Sequence, residues 1–212
     1  MSLQPSEFIQ NRGGSIYHLN LLPEHLAPTV ITVGDPDRVR EVSKFFDSIE
    51  FTIHKREFYT QTGIYKGKRI TVISTGIGTD NIDIVLNELD ALVNIDFENR
   101  KLKEEITSLD IIRIGTSGAI QENIPVDTFL VSETAIGFDS LLHFYDAEEI
   151  LDHDFTKALI KQLNWPSENP APYVVSADDN LAAKFSTGFT RGITLTNCGF
   201  YGPQGRILRL KL

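Results

Sequence analysis

Short β-branched or aliphatic runs punctuated by glycine alternate along this chain with segments whose apolar residues recur every three or four positions. The first pattern predicts strands, the second helices packed on them. Thr29–Val33 is the first strand run. It breaks at Gly34 into Asp35, a natural N-cap, and Pro36, a natural first helical residue, so a helix is expected to run on to Phe46. Phe51–Tyr65 alternates and predicts a hairpin turning at Gly63, and Arg69–Ser74 predicts a further strand. From Asp80 onward, Ile82, Val85, Leu86, Leu89, Leu92 and Val93 fall at helical spacing, an amphipathic helix for one face of a sheet. The stretch Ile111–Ile120, IIRIGTSGAI, opens as a buried strand and breaks at Gly115. Val126–Thr134 and Gly192–Asn197 read as strands, Asp152–Leu163 as a helix, Leu141–Tyr145 as a loop and Pro166–Pro172 as a turn-rich connector. At the end, Leu208, Leu210 and Leu212 alternate with Arg209 and Lys211, which reads as a strand.

Three segments lack such patterning. Met1–Gly14 is polar and reads as a flexible terminus, Ser15–Leu22 as an extended segment carrying His18, and Phe97–Glu105 as a charged, solvated face. Strand runs alternating with helical periodicity predict one α/β domain over residues 15–212, a mixed sheet with helices on both faces in three layers.

Composition narrows the partners. The chain has 212 residues, 41% hydrophobic and 23% charged, enough for one sizeable core. A formal net charge of −9 argues against a nucleic-acid backbone or an anionic membrane as the main partner. An anionic small molecule is still compatible where a few arginines converge. The only cysteine, Cys198, allows no intramolecular disulfide, which fits a reducing cytoplasm. The N-terminus has no basic segment leading into an apolar one, so no signal peptide is expected. No apolar run approaches the roughly 20 residues of a membrane span.

Candidate chemistry sits at the strand ends. Arg113, then Thr116, Ser117 and Gly118, put a guanidinium, two hydroxyls and free N–H groups around one turn, a set suited to an anion beside a sugar. The plainer alternative is an interior strand with one arginine paired to a carboxylate. Gly34 leading into a helix N-terminus is a second anion site. Arg38, a cation in the first turn, serves either a bound anion or an acid on its own helix. A dinucleotide fingerprint on Gly76 and Gly78 fails, because Asn81 stands where the third glycine belongs and no acidic residue follows a second strand at the right distance. No metal-ligand spacing is present among the five histidines and the cysteine.

VGDPDRV (Val33–Val39), KREF (Lys55–Phe58), STGIG (Ser74–Gly78) and RIGTSGAI (Arg113–Ile120), in that order, resemble the nucleoside phosphorylase family in its uridine phosphorylase-like branch. Phe-Tyr-x-x-Gln-x-Arg at Phe200–Arg206 is similar to that branch's pyrimidine-recognition loop, with Gly202 and Pro203 in the reverse of the commoner order. The resemblance implies the nucleoside phosphorylase (phosphorylase/hydrolase-like) fold over residues 15–212. It implies phosphorolysis of uridine to uracil and ribose 1-phosphate, with inorganic phosphate as co-substrate and no cofactor. Gly34, Arg38, Arg113 and Thr116 would hold phosphate, with Arg56 reaching in from a neighbouring subunit. His18, also from the neighbour, would meet the ribose 5′-hydroxyl. Thr116 would lie near the ribose, Ser117 and Gly118 near the base, Phe200 would stack near the base, and Gln204 and Arg206 would read uracil. Arg113, Gln204 and Arg206 are the implied catalytic groups. Glu57 and Ile77 match a monovalent-cation position of the family, where Asn81 replaces the commoner serine. Assembly would be a homo-oligomer, a dimer at least and up to a hexamer.

The family continues past the equivalent of Leu212 with a strand, a glutamate for the ribose hydroxyls and a helix, so the chain reads as a C-terminally incomplete member. Two alternatives stay open: a truncated, non-catalytic homologue that assembles or binds ligand only, and a purine nucleoside phosphorylase or nucleosidase, which the Phe200–Arg206 loop disfavours.

Overall fold

The structure, a computed structural model, describes residues 2–185 and 187–211. It divides into two compact units at the Thr116–Ser117 bond.

The first unit is built on a five-stranded mixed sheet. Its elements are β1 (Thr29–Val33), α1 (Pro36–Ser43), β2 (Ser48–Lys55), β3 (Phe58–Tyr65), β4 (Lys68–Ser74), α2 (Thr79–Asn94), a small ribbon of β5 (Ile95–Asp96) and β6 (Lys101–Leu102), and β7 (Asp110–Arg113). Strand order is β2-β3-β4-β1-β7. β1 runs parallel to β4 on one side and to β7 on the other, while β2, β3 and β4 form an antiparallel meander. Alternate side chains of the sheet feed two cores. Val30, Phe58 and Ile73 pack with Val85, Leu89 and Leu92 of α2, and Val33, Tyr59 and Val72 pack with Val39 of α1. The helices therefore cover opposite faces, as the periodicity requires.

Several expected boundaries move. α1 starts as expected, with Asp35 Oδ1 accepting the Asp37 N–H at 2.9 Å, but stops at Ser43 rather than Phe46. There the chain must turn into β2, and the Asp47 N–H already bonds Ile64 O at 2.6 Å. The hairpin turns at Arg56–Glu57, not at Gly63. Gly63 lies inside β3, where a methyl carbon would overlap the Ser48 carbonyl oxygen and lie 2.8 Å from the Phe46 ring. Its glycine marks a close approach, not a turn. Arg56 takes the turn with φ 56° instead. Ser15–Leu22 is not extended: Ile16 N–H bonds Leu21 O and Asn20 N–H bonds Ile16 O, folding residues 17–19 into a turn between buried Ile16 and Leu19.

The segment read as a polar terminus carries Phe8 into the core and rests Leu3 against it. Arg100 accounts for this. Its guanidinium donates to Leu3 O, Gln4 O, Phe8 O and Gln10 Oε1 and lies 5.0 Å from the Phe8 ring centroid. The stretch Phe97–Glu105 is accordingly not only a solvated face. It contains β6, and Phe97 packs edge-on against Phe8 at 4.8 Å.

The second unit holds β8 (Leu130–Phe138), α3 (His153–Leu163), β9 (Tyr173–Ser176), α4 (Asp179–Lys184) and β10 (Thr190–Asn197). Its three-stranded sheet runs β10-β8-β9, parallel then antiparallel. α3 is capped by Asp152, whose Oδ1 accepts the Phe155 N–H at 2.8 Å. β8 begins four residues later than Val126 and runs on to Phe138, since Val126 and Phe129 are exposed and pairing with β10 starts at Leu130. Leu141–Phe144 is a short 3-10 turn rather than a loop. Among the described residues no strand forms at the end: residues 208–210 bend with Leu208 and Leu210 exposed, and no neighbouring strand takes up their alternation. Leu212 lies outside the described residues. No described helix is long and apolar enough to cross a membrane.

Candidate functional site

Parallel strands place their carboxyl ends together, and ligands of open α/β sheets bind beyond those ends. In the first unit the ends of β1, β4 and β7 meet there. Gly34 follows β1 directly, and a methyl carbon on it would stand 3.8 Å from the Gly76 carbonyl oxygen beyond β4. On the other side Thr32 pairs with Arg113 and accepts the Ile114 N–H at 2.9 Å. Arg38 rises from the first turn of α1, four residues after Gly34. Gly34, Arg38, Arg113 and Thr116 are thus carried by neighbouring strand ends of one unit.

Arg113 does not come from a buried inner strand. Within its unit β7 is the sheet's edge, with β1 its single partner, so Ile111 and Ile112 are half-buried and Arg113 is exposed. The alternative of an arginine paired to a carboxylate does not hold either. Among the described residues the side chains of Arg38, Arg56 and Arg113 form no ion pair and no hydrogen bond. Three other arginines of the unit are committed, Arg69 to Glu50 at 2.7 Å, Arg40 to the Tyr59 hydroxyl at 3.4 Å and Arg100 to backbone carbonyls, while Arg12, exposed on the N-terminal segment away from these strand ends in sequence, is not. Three uncommitted guanidinium groups in a chain with excess acid are a ready receptor for an oxyanion.

Arg56 sits on the β2–β3 turn, held left-handed at φ 56°, a conformation that costs a non-glycine residue roughly 1–2 kcal/mol. Glu57 beside it reaches the β4 end, where a methyl carbon on Gly76 would lie 2.8 Å from Glu57 Cγ. Glu57, Ile77 and Asn81 do gather here, but Asn81 Nδ2 donates to the Ile77 carbonyl at 3.2 Å, engaging the oxygen a cation would use. Among the described residues no group of three or more His, Cys, Asp or Glu is placed to hold a metal.

His18 lies in the 17–19 turn, half-buried, with Nδ1 2.7 Å from Glu88 Oε1. Lys55 ties that turn to the end of β2, donating to Tyr17 O and, at 2.9 Å, to Asn11 Oδ1. His18 and Arg56 are therefore held to the same end of β2. Glu88 is a residue that sequence reasoning missed. A glutamate inside an amphipathic helix carries no signal of its own until the fold brings the turn to it.

The second unit holds the candidates for the base. Phe200–Arg206 folds into a tight turn closed by Gly205, at φ 69°, with Arg206 N–H bonding Tyr201 O at 2.9 Å. Gln204 Nε2 donates to Gly199 O at 3.3 Å, and Arg206 Nε donates to Gln204 Oε1 at 3.4 Å. The Arg206 guanidinium lies 4.3 Å from the Phe200 ring centroid. A methyl carbon on Gly118 would come within 3.9 Å of Arg206 Nη2. Phe200, Gln204, Arg206 and Gly118 thus form one cluster, an aromatic face beside an amide and a guanidinium, all exposed. Ser117 is exposed next to Gly118.

Residues 28–210 match the family described as the phosphorylase superfamily. A uridine phosphorylase of Thermococcus kodakarensis is 30% identical over 200 residues, 93% of this chain and 60% of that protein. One from Haemophilus influenzae is 35% identical over 196 residues, 90% of this chain and 65% of its own length. The chain therefore spans less than two thirds of the length of these relatives. Relatives named DeoD-type purine nucleoside phosphorylase match as well. Among solved structures, a Trypanosoma brucei nucleoside phosphorylase described as showing uridine phosphorylase activity superposes with a TM-score of 0.79 at 30% identity, over 95% of this chain and 72% of that one.

Proposed function

The chain belongs to the phosphorylase superfamily, and from that premise we propose that it acts on a pyrimidine nucleoside, converting uridine and phosphate to uracil and ribose 1-phosphate. The observation that carries the reading is the uncommitted state of Arg38 and Arg113 beside Gly34 at neighbouring strand ends. A hydrolase that uses water has no need of such a cradle, whereas phosphorolysis must hold a dianion.

In this reading a phosphate oxygen bonds to C1′ as the C1′–N1 bond breaks, and the bonding pair leaves with uracil. Arg38, Arg113 and the Thr116 hydroxyl hold the phosphate, and Gly34 lets its oxygens approach backbone N–H groups. Arg56 adds a third guanidinium from a neighbouring copy, in an assembly of at least two chains, and His18 comes with it. Thr116 also faces the ribose. Gln204 gives uracil a donor and an acceptor in one plane, Arg206 stabilises the charge growing on the leaving base, and Phe200 offers a stacking face, with Ser117 and Gly118 beside it. No protein nucleophile is required, so rate comes from positioning and electrostatics. No cofactor takes part. A lone exposed cysteine suits a reducing cytoplasm.

The test is a uracil-release assay on this chain with uridine, with and without phosphate. Release that requires phosphate supports the reading. Release without phosphate would make the protein a nucleosidase, and equal cleavage of inosine would favour the purine branch named by other relatives. Binding of phosphate without turnover would favour a non-catalytic role.

A further inference from the structure

Glu88 stands on α2 with its carboxylate against the 17–19 turn, and three donors converge on it. The His18 N–H reaches its two oxygens at 3.0 and 3.1 Å, the Leu19 N–H reaches Oε2 at 2.8 Å, and His18 Nδ1 lies 2.7 Å from Oε1. The glutamate side chain is 12% exposed and that of His18 27%. A carboxylate only accepts, so Nδ1 carries the hydrogen, and in the neutral form of the ring the lone pair then lies on Nε2. Free histidine favours the opposite tautomer. Nε2 has no partner among the described residues. On its other side the turn is fastened by Lys55, whose Nζ bonds Tyr17 O and lies 4.7 Å from the Tyr17 ring centroid. The ring is thus fixed in both tautomer and place.

We propose that Glu88 is a positioning residue that makes His18 Nε2 a dedicated hydrogen-bond acceptor for the 5′-hydroxyl of the nucleoside. This rests on the reading of the protein as a nucleoside phosphorylase in which His18 meets the sugar. A bare lone pair accepts from a hydroxyl. It gives nothing to a deoxygenated carbon and repels a phosphate oxygen. Glu88 therefore selects free nucleosides over their 5′-deoxy and 5′-phosphorylated forms, without touching the substrate.

The experiment joins a spectrum to a binding comparison. Nitrogen-15 spectra of the histidine-labelled chain at neutral pH should show His18 as the Nδ1–H tautomer. A dominant Nε2–H signal in the unmodified protein overturns the proposal and needs no variant. Calorimetry should then show uridine binding tighter than 5′-deoxyuridine. In Glu88→Gln that advantage should shrink about tenfold, the weight of one hydrogen bond, with phosphate affinity unchanged. Glu88→Gln keeps an acceptor oxygen for the backbone N–H groups, and its melting temperature confirms that it folds. Uridine bound equally well by both proteins, with the same preference over 5′-deoxyuridine, overturns the proposal. Failure of the underlying functional reading is distinct: the unmodified chain then binds no nucleoside at all, whatever tautomer His18 shows.

Discussion

The guanidinium of Arg113 folds back over Gly115: a methyl carbon on that glycine would overlap Nη1 and stand 2.9 Å from Cζ. The obstacle is the far end of a flexible side chain, so Gly115→Ala should leave the fold intact and move the guanidinium. The expected result is a melting temperature close to the parent's and a phosphate affinity about tenfold weaker, about 1.4 kcal/mol. Thermal unfolding checks the first claim and titration calorimetry with inorganic phosphate the second. An unchanged affinity would mean that the folded-back position of Arg113 has no part in holding the anion.

Removing the group itself should cost more. Arg113→Ala deletes one charge-assisted partner, and phosphate binding should weaken by about 1.5–3 kcal/mol. Arg113→Lys keeps the charge but loses the planar fork, so it should recover only part of the loss. Arg40, held by the Tyr59 hydroxyl at 3.4 Å, serves as the control: Arg40→Ala should leave phosphate affinity unchanged.

On the base side, Gln204→Ala should cut uridine turnover and spare phosphate binding. The amide of Gln204 is what presents a paired donor and acceptor to uracil, and a site built for such a pair rejects a ligand that leaves it unmatched. Competition between uridine and inosine reads the preference. A preference for uridine that survives the substitution would refute this assignment of the Phe200–Arg206 turn.

The strand and helix content was largely legible, because β1 and β4, covered on both faces, read as short continuous apolar runs, and α2, covered on one, reads at helical spacing. Punctuation was less so. Gly63 looked like a turn and proved to be a close approach, a distinction that depends on where Phe46 and Ser48 come to lie. The Leu208–Leu210 alternation looked like a strand, yet pairing needs a neighbour, which no local pattern supplies. Arg113 looked interior because its run is apolar, but β7 has a single partner in its unit. Motif residues such as Gly34 and Arg38 could be named from their order along the chain. Glu88 could not, since its role exists only once α2 and the 17–19 turn meet.

His25 makes stability sensitive to mild acid. Its Nδ1 accepts the Leu22 N–H at 3.0 Å and its ring packs 4.6 Å from the centroid of Phe51. Burial holds its pKa below the ordinary histidine value; Glu24 opposes this and Arg69 adds to it. The unfolded chain therefore takes up the proton first as pH falls. The contribution of neutral His25 is complete above the ordinary value and is lost as pH drops from there towards the lowered one. Urea unfolding at pH 7.5 and 5.5 should show a smaller loss in His25→Gln, whose side-chain oxygen can still accept the Leu22 N–H. Equal losses would refute the assignment.

Gly63→Ala should destabilise by about 1–3 kcal/mol, the range for overpacking a tight interior. The carbon would meet the Ser48 backbone and the Phe46 ring 2.8 Å away, and backbone cannot swing aside as the Arg113 side chain can. Thermal or denaturant unfolding measures it. A neutral result would mean that β2 and the turn before it shift more easily than their pairing indicates.

The grip of Arg100 on residues 3–10 has a practical side for anyone who handles this protein. Leu3 N–H bonds Arg100 O at 2.7 Å, and the guanidinium collects carbonyls from Leu3, Gln4 and Phe8. Trimming these residues to tidy an expression vector would strip a cation of its acceptors and uncover Phe97 in the same stroke. A tag is better joined ahead of Ser2 than in its place, because the Ser2 hydroxyl also reaches the Asn99 and Arg100 carbonyls at 3.3 Å. A cloning choice that looks cosmetic on paper thus decides whether the recombinant product keeps its first hydrophobic cluster closed.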